Sequence, residues 1–152
     1  MGEPLLSFRD LTVAFPKGEA LSRVSFDVPP GQTLAVVGES GSGKTLSARS
    51  VLRILPKEAR TTSGTITFDG TDVTALPPRD PRLKSLRGGA IGMIYQEPMA
   101  ALSPYYTIGN QIEETLIQHG ATRRDARARA LETLREVAMP EPEQRLDAFS
   151  FE

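Results

Sequence analysis

Apolar and polar residues alternate, in part, along several short stretches of the first half of the chain. This pattern is typical of strands with one buried face, and it predicts strands over residues 5–15, 20–28 and 63–68. Asp69-Gly70 is a hairpin-type turn after the third of these, and residues 71–76 continue the meander. We therefore expect an antiparallel β subdomain in the first half of the chain.

A second pattern is an uninterrupted apolar run, which predicts a strand buried on both faces. Residues 33–37, Thr-Leu-Ala-Val-Val, form such a run, and residues 90–95 are predicted as the next strand after residues 71–76. Residues 46–55 carry apolar side chains at helical spacing directly after a glycine-rich segment. Strand, glycine-rich loop and helix in this order indicate an α/β fold.

The last third of the chain is predicted to be helical. One helix begins near Thr107 and ends before Gly120, and a capping-box-like start at residues 122–125 opens a second. Pro140 and Pro142 are predicted to end that second helix. Its expected apolar stripe consists of Leu131, Leu134, Val137 and Ala138.

Composition narrows the function only by exclusion. The chain has 152 residues, a net charge of −1 and no cysteine, so it offers neither a thiolate metal site nor a cysteine nucleophile. Because the net charge is close to zero, the chain has no overall positive field that would attract nucleic acid. We therefore expect no nucleic-acid partner. No apolar run approaches the length of a membrane span, so we expect any membrane association to be peripheral.

The candidate chemistry lies in a G-x-x-x-x-G-K-[ST] motif, the phosphate-binding P-loop. Its residues are Gly38, Glu39, Ser40, Gly41, Ser42, Gly43, Lys44 and Thr45. The glycines let the main chain approach crowded phosphate oxygens, and successive N–H groups then form an anion nest. Lys44 supplies a positive charge for the β- and γ-phosphates, and Thr45 offers a hydroxyl to Mg²⁺.

Three stretches together resemble the nucleotide-binding subunit of an ABC transporter, most closely the oligopeptide, dipeptide and nickel import group. They are the P-loop block at residues 31–45, the Q-loop with its continuation at residues 93–109, and residues 123–147, which resemble the helical subdomain before the signature motif. The resemblance implies an ABC-type P-loop NTPase with an antiparallel β subdomain, part of a RecA-like core and the start of a helical subdomain. By this resemblance, residues 1–95 form the β-rich and P-loop core, and residues 96–152 form the Q-loop and the helical subdomain.

The resemblance also assigns residue roles, with ATP and Mg²⁺ as cofactors. Lys44 and Gln96 are the expected catalytic residues, and Thr45 and Gln96 the expected metal contacts. Phe15 lies where the family places an aromatic ring on the adenine, although a strand-end core position explains it as well. An ordinary exposed loop glutamine is the alternative for Gln96.

Partners and location follow from the same resemblance. We expect a second nucleotide-binding subunit, and membrane permease subunits that bind the segment after Gln96, on the cytoplasmic face of the membrane. Met99, Leu102, Tyr105 and Tyr106 are the expected contact residues, with packing inside the helical subdomain as the alternative.

The family's signature motif, Walker B aspartate and catalytic glutamate would all follow residue 152. We therefore expect a truncated domain that binds ATP weakly and does not hydrolyse it alone. The alternative functions are a nucleotide-binding module without ATPase activity and an ABC ATPase that does not serve transport.

Overall fold

A computed structural model describes residues 2–97 and 101–151. The chain forms two compact units, Met1–Ile91 and Gly92–Glu152. No helix in the described ranges is both long enough and apolar enough to cross a bilayer.

The first unit contains a four-stranded sheet in the order β2-β1-β3-β4, with every neighbouring pair antiparallel. The strands are β1 (Leu6–Phe15), β2 (Gly18–Val28), β3 (Arg60–Phe68) and β4 (Thr71–Asp72). The predicted antiparallel subdomain is therefore confirmed, although β4 is much shorter than the predicted continuation over residues 71–76. Helix α1 (Lys44–Val51) joins this unit, and a short helix α2 (Pro81–Ser85) follows the sheet.

One face of the sheet carries the core of the first unit. Phe8, Leu11, Val13 and Ile66 are at most 1% exposed. Val51 of α1 packs into the same cluster, so the amphipathic helix covers the apolar face of the sheet. The rings of Phe8 and Phe26 stack with their centroids 4.2 Å apart.

The prediction of two further strands was wrong for this structure. Residues 33–37 form irregular backbone with Val37 88% exposed, and residues 92–95 are likewise irregular with Ile94 95% exposed. Ile91 makes only an isolated bridge to Arg87. A strand needs a neighbouring strand, and the described residues show no strand pairing for residues 33–37 or 92–95. The apolar composition of both segments suits the interior of a sheet, but neither segment pairs with a strand in the described part of the chain.

The second unit is a group of three helices, α3 (Ile108–Gln118), α4 (Arg123–Glu136) and α5 (Pro142–Asp147). The first two begin as predicted, with Thr107 and Thr122 as N-caps. The predicted apolar stripe of the second was wrong for Val137 and Ala138, which lie beyond the end of α4 and are exposed. Helix α5 was not predicted, because Pro142 was interpreted as ending a helix, whereas it occupies the first turn of a new one.

A buried contact and an ion-pair network hold the three helices together. Leu134 and Leu146 are buried against each other's helices, with Ile112 packed on the same cluster. Arg127 on α4 pairs with Glu113 on α3 at 3.1 Å and with Asp147 at the end of α5 at 2.8 Å. The hydrogen bonds with Asp147 and Glu113 raise the pKa of Arg127.

Candidate functional site

The glycine-rich loop leads directly into α1, as its sequence predicts. Gly43 is the N-cap of α1 and has left-handed backbone angles of φ 91° and ψ 2°. A Cβ atom at this position would lie 2.3 Å from Leu21 Cδ2 and 3.2 Å from the Ala20 carbonyl oxygen on β2. Position 43 therefore requires glycine both for its backbone conformation and for its close approach to the sheet.

The N-terminus of α1 has no side chain to satisfy its backbone N–H groups. Helices α2, α3 and α4 each begin with an Asp or Thr side chain that accepts a backbone hydrogen bond, whereas α1 has no such cap and no acidic residue in its first turn. Among the described residues, no acceptor is found for the N–H groups of Gly43, Lys44 and Thr45. Uncapped N–H groups at the positive end of a helix dipole suit an anion.

The Lys44 side chain folds over the loop and brings a positive charge to it. Its Nζ donates to the carbonyl oxygens of Gly38 at 2.8 Å and Glu39 at 2.7 Å, and to Ser42 Oγ at 3.2 Å. Glu39 contributes its backbone oxygen here, and no ion pair of Lys44 is found within the described ranges. The positive charge thus lies over the loop without a neutralising carboxylate, which fits a phosphate ligand.

The remaining P-loop residues are open to solvent. Gly38, Glu39, Ser40, Gly41 and Ser42 are all exposed, and so is Thr45. The described part of the chain contains no group of three His, Cys, Asp or Glu side chains that would hold a metal by itself. A hydroxyl such as that of Thr45 holds Mg²⁺ only together with other oxygens, such as those of a bound phosphate.

Phe15 lies at the end of β1, where its core role is confirmed and its stacking on a base stays a prediction. It packs against the core cluster of the first unit and also lines a surface cavity of about 580 Å³. Ala20 lines the same cavity, and its carbonyl oxygen is the atom close to position 43. Ala20 thus connects the cavity wall, which includes Phe15, with the position of Gly43, although no P-loop residue lines the cavity itself.

Gln96 belongs to the second unit, where it is exposed and lies in irregular backbone. Pro98 and Met99, which the sequence also singled out, lie outside the described residues. Leu102 is half-buried, whereas Tyr105 and Tyr106 are 84% and 60% exposed. The side chains of both tyrosines are thus exposed just before α3.

Gln111, which the sequence did not single out, holds the backbone of this loop in place by hydrogen bonds. The Gln111 amide oxygen accepts from the Ser103 N–H at 2.7 Å. Its amide nitrogen donates to the carbonyl oxygens of Ser103 at 3.0 Å and Tyr106 at 2.9 Å. Gln111 thereby pins both sides of the loop that carries the tyrosines. The available signal was a polar amide between the apolar residues Ile108 and Ile112.

Comparison with known proteins places these features in a family. The sequence profile described as "ABC transporter" matches residues 21–150. A peptidoglycan transport ATP-binding protein (YejF) of Agrobacterium fabrum is 51% identical over 99% of this chain and 28% of its own length. A dipeptide transport ATP-binding protein (DppD) of Haemophilus influenzae is 37% identical over 95% of this chain and 45% of its own length.

A solved structure shares the fold. The ATP-binding cassette MJ0796 bound to ADP and Pi superposes with a TM-score of 0.77 at 24% identity, over 95% of this chain and 61% of that one. The chain thus spans less than half the length of the curated relatives named above, and about three-fifths of the solved cassette.

Proposed function

The chain belongs to the ABC transporter family, and on that premise we propose that it is the P-loop portion of an ATP-binding subunit that drives the import of peptides or similar small solutes. The observation that carries the proposal is the uncapped N-terminus of α1 beneath an unneutralised Lys44. The names of the relatives support the solute class, since those cited are peptidoglycan and dipeptide transport proteins.

The P-loop residues act by binding and by stabilising charge. The N–H groups of Gly43, Lys44 and Thr45 donate to phosphate oxygens, and Lys44 Nζ exchanges one of its loop carbonyls for a phosphate oxygen. Donors fixed before the reaction stabilise negative charge that develops on a transferring phosphoryl group. Phe15 stacks on the base from the wall of the neighbouring cavity.

Mg²⁺, if bound, would supply positive charge that neutralises the phosphates. Thr45 is the residue of the first unit proposed to hold it, through a side chain that is exposed at the start of α1. Gln96 is the proposed second contact and orients the attacking water, because an amide both donates and accepts hydrogen bonds.

The partners in this proposal are a second nucleotide-binding subunit and membrane permease subunits. Tyr105 and Tyr106 are the proposed permease contacts, because two exposed aromatic rings held by Gln111 form a defined apolar surface. Such contacts would keep the protein peripheral, at the cytoplasmic face of the membrane.

We expect the isolated chain to bind Mg-ATP weakly and to turn it over at a negligible rate. The segment before the P-loop, residues 33–37, is exposed and unpaired within the described ranges, so the loop lacks a rigid strand behind it. If the ligand must order the loop, the free energy of that ordering reduces the binding affinity. A phosphate-release assay checks the expectation, and repeated turnovers that disappear in the Lys44→Ala variant would contradict it.

The binding proposal itself is tested by equilibrium titration of the chain with ATP and Mg²⁺. Lys44→Ala removes a charge-assisted contact and is expected to weaken binding about tenfold or more. Lys57→Ala is the matched control, since Lys57 is also an exposed lysine but lies after α1. Equal affinities for the wild type and both variants would refute phosphate binding at this loop.

A further inference from the structure

A second cavity, of about 670 Å³, lies in the first unit near the C-terminal end of α1. It opens where β4 leaves β3, because only Thr67 and Phe68 of β3 pair with β4. Beyond that pairing, residues 60–64 line one side of the cavity, and residues of the segment 72–78 line the other. The P-loop is at the opposite end of α1, about 12 Å away along eight helical residues.

Three arginines line this cavity, and two of them are fixed there by backbone carbonyls. Arg87 Nε donates to the Leu52 oxygen at 2.7 Å, and its Nη2 to the Arg53 oxygen at 3.0 Å. Arg53 Nη1 donates at 2.6 to 3.3 Å to three carbonyl oxygens, those of Val73, Thr74 and Leu76. A guanidinium has five N–H donors, so each of these arginines keeps further donors for a ligand.

The positive charge of the cavity exceeds the negative charge of its described lining residues. Within the described ranges, Arg53, Arg60 and Arg87 take part in no ion pair, although five other arginines do. Asp72 is the one carboxylate among the described lining residues. Its Oδ1 already accepts from the N–H groups of Thr74 at 2.8 Å and Ala75 at 3.2 Å. The wall therefore carries an excess of positive charge.

A purely structural role explains only part of this arrangement. Arg87 complements the carbonyl oxygens at the C-terminal end of α1, where the helix dipole favours a cation. Arg60 is exposed, and no hydrogen bond of its side chain is found among the described residues. Its position beside two fixed guanidinium groups raises the local repulsion, which an anionic ligand would relieve.

We propose that this cavity binds a small oxyanion with more than one negative charge, either a phosphate or a polycarboxylate. The planar guanidinium fork matches both chemistries, because each presents paired oxygen atoms. Hydroxyl groups of Thr61 and Ser63 in the wall supply neutral donors beside the cations. The site is separate from the P-loop and does not depend on the function proposed above.

The test is a titration of the ¹⁵N-labelled chain with inorganic phosphate and, in a separate arm, with citrate, at low ionic strength. Lys44→Ala serves as the background, so that phosphate bound at the P-loop does not obscure the result. We expect saturable amide shifts at residues 61–64 and 74–75 with at least one of the two anions. Arg60→Ala should weaken this binding about tenfold, because it removes a charged partner without touching the contacts that fix Arg53 and Arg87.

Arg123→Ala is the matched control, since it removes the same charge from an exposed position in the second unit. We expect it to leave the affinity unchanged, and the dispersed spectra of both variants would show that they are folded. Shifts that do not saturate with either anion, or equal weakening by Arg60→Ala and Arg123→Ala, would overturn the proposal, since both outcomes indicate non-specific charge attraction.

Discussion

Gly43 shows how one position can serve folding and ligand binding together. Its left-handed backbone turns the loop into α1 and leaves the first N–H groups of the helix pointing out of the loop unpaired. The missing side chain lets the loop pack on Leu21, which is only 4% exposed. The same residue therefore fixes the loop to the sheet and shapes the end of the loop that is proposed to bind phosphate.

The variants Gly43→Ala and Gly41→Ala separate the requirement for a left-handed backbone from the requirement for close packing. Both residues have positive φ, so either alanine costs roughly 1–2 kcal/mol in backbone strain. Only at position 43 would the new Cβ also meet a neighbour, which adds roughly 1–3 kcal/mol of overpacking. Urea unfolding should therefore show the larger loss of stability for Gly43→Ala, and equal losses would contradict the close packing on Leu21.

A second residue-scale prediction concerns pH. Arg9 on β1 pairs with Asp27 on β2 at 2.8 Å, and its hydrogen bond lowers the pKa of Asp27. An unfolded aspartate titrates near about 3.9, so the stabilisation is present above that pH and is lost as the pH falls through the lowered folded pKa. The difference in unfolding free energy between wild type and Arg9→Ala should therefore shrink between pH 7 and pH 2.5.

Arg23→Ala is the control for that experiment. Arg23 lies exposed on β2, and no ion pair of its side chain is found within the described ranges. Its effect on stability should be the same at both pH values. A pH-independent effect of Arg9→Ala would mean that the ion pair contributes nothing to the folded state.

At the scale of elements, the sequence predicts best those structures whose partners are near in the chain. Strands β1 and β2 are joined by a short turn at residues 16–17, and the helix caps Thr107 and Thr122 act on residues three positions away. Residues 33–37 have the composition of a buried strand, but a parallel strand requires partners distant in sequence. The composition of such a segment therefore predicts that it suits a buried strand. It does not identify the strands with which the segment would pair.

The loop before α3 gives the element-scale prediction. Gln111→Ala removes the three short contacts that hold Ser103 and Tyr106, so the loop that carries Tyr105 should open locally. Hydrogen exchange of the Ser103 amide is expected to accelerate about tenfold or more, since its acceptor is lost. Gln118→Ala, which loses only an exposed contact with Glu114, is the control and should leave that amide unchanged.

At the scale of the whole molecule, the residues with predicted functional roles belong to two compact units. The P-loop and Phe15 belong to Met1–Ile91, whereas Gln96 and the exposed tyrosines belong to Gly92–Glu152. The motif at residues 38–45 was predictable because its chemistry is local. The hydrogen bonds of Gln111 and the arginine-lined cavity were not predictable, because each depends on contacts that only the folded chain creates.

Hydrogen exchange of the whole chain, with and without Mg-ATP, tests most directly whether the P-loop binds nucleotide phosphates. The uncapped start of α1 predicts slower exchange of the amides of residues 43–45 in the presence of nucleotide, since their N–H groups acquire phosphate acceptors. The protection should be lost in Lys44→Ala. Unchanged exchange in this segment at saturating nucleotide, or equal protection in the variant, would contradict phosphate binding by the P-loop.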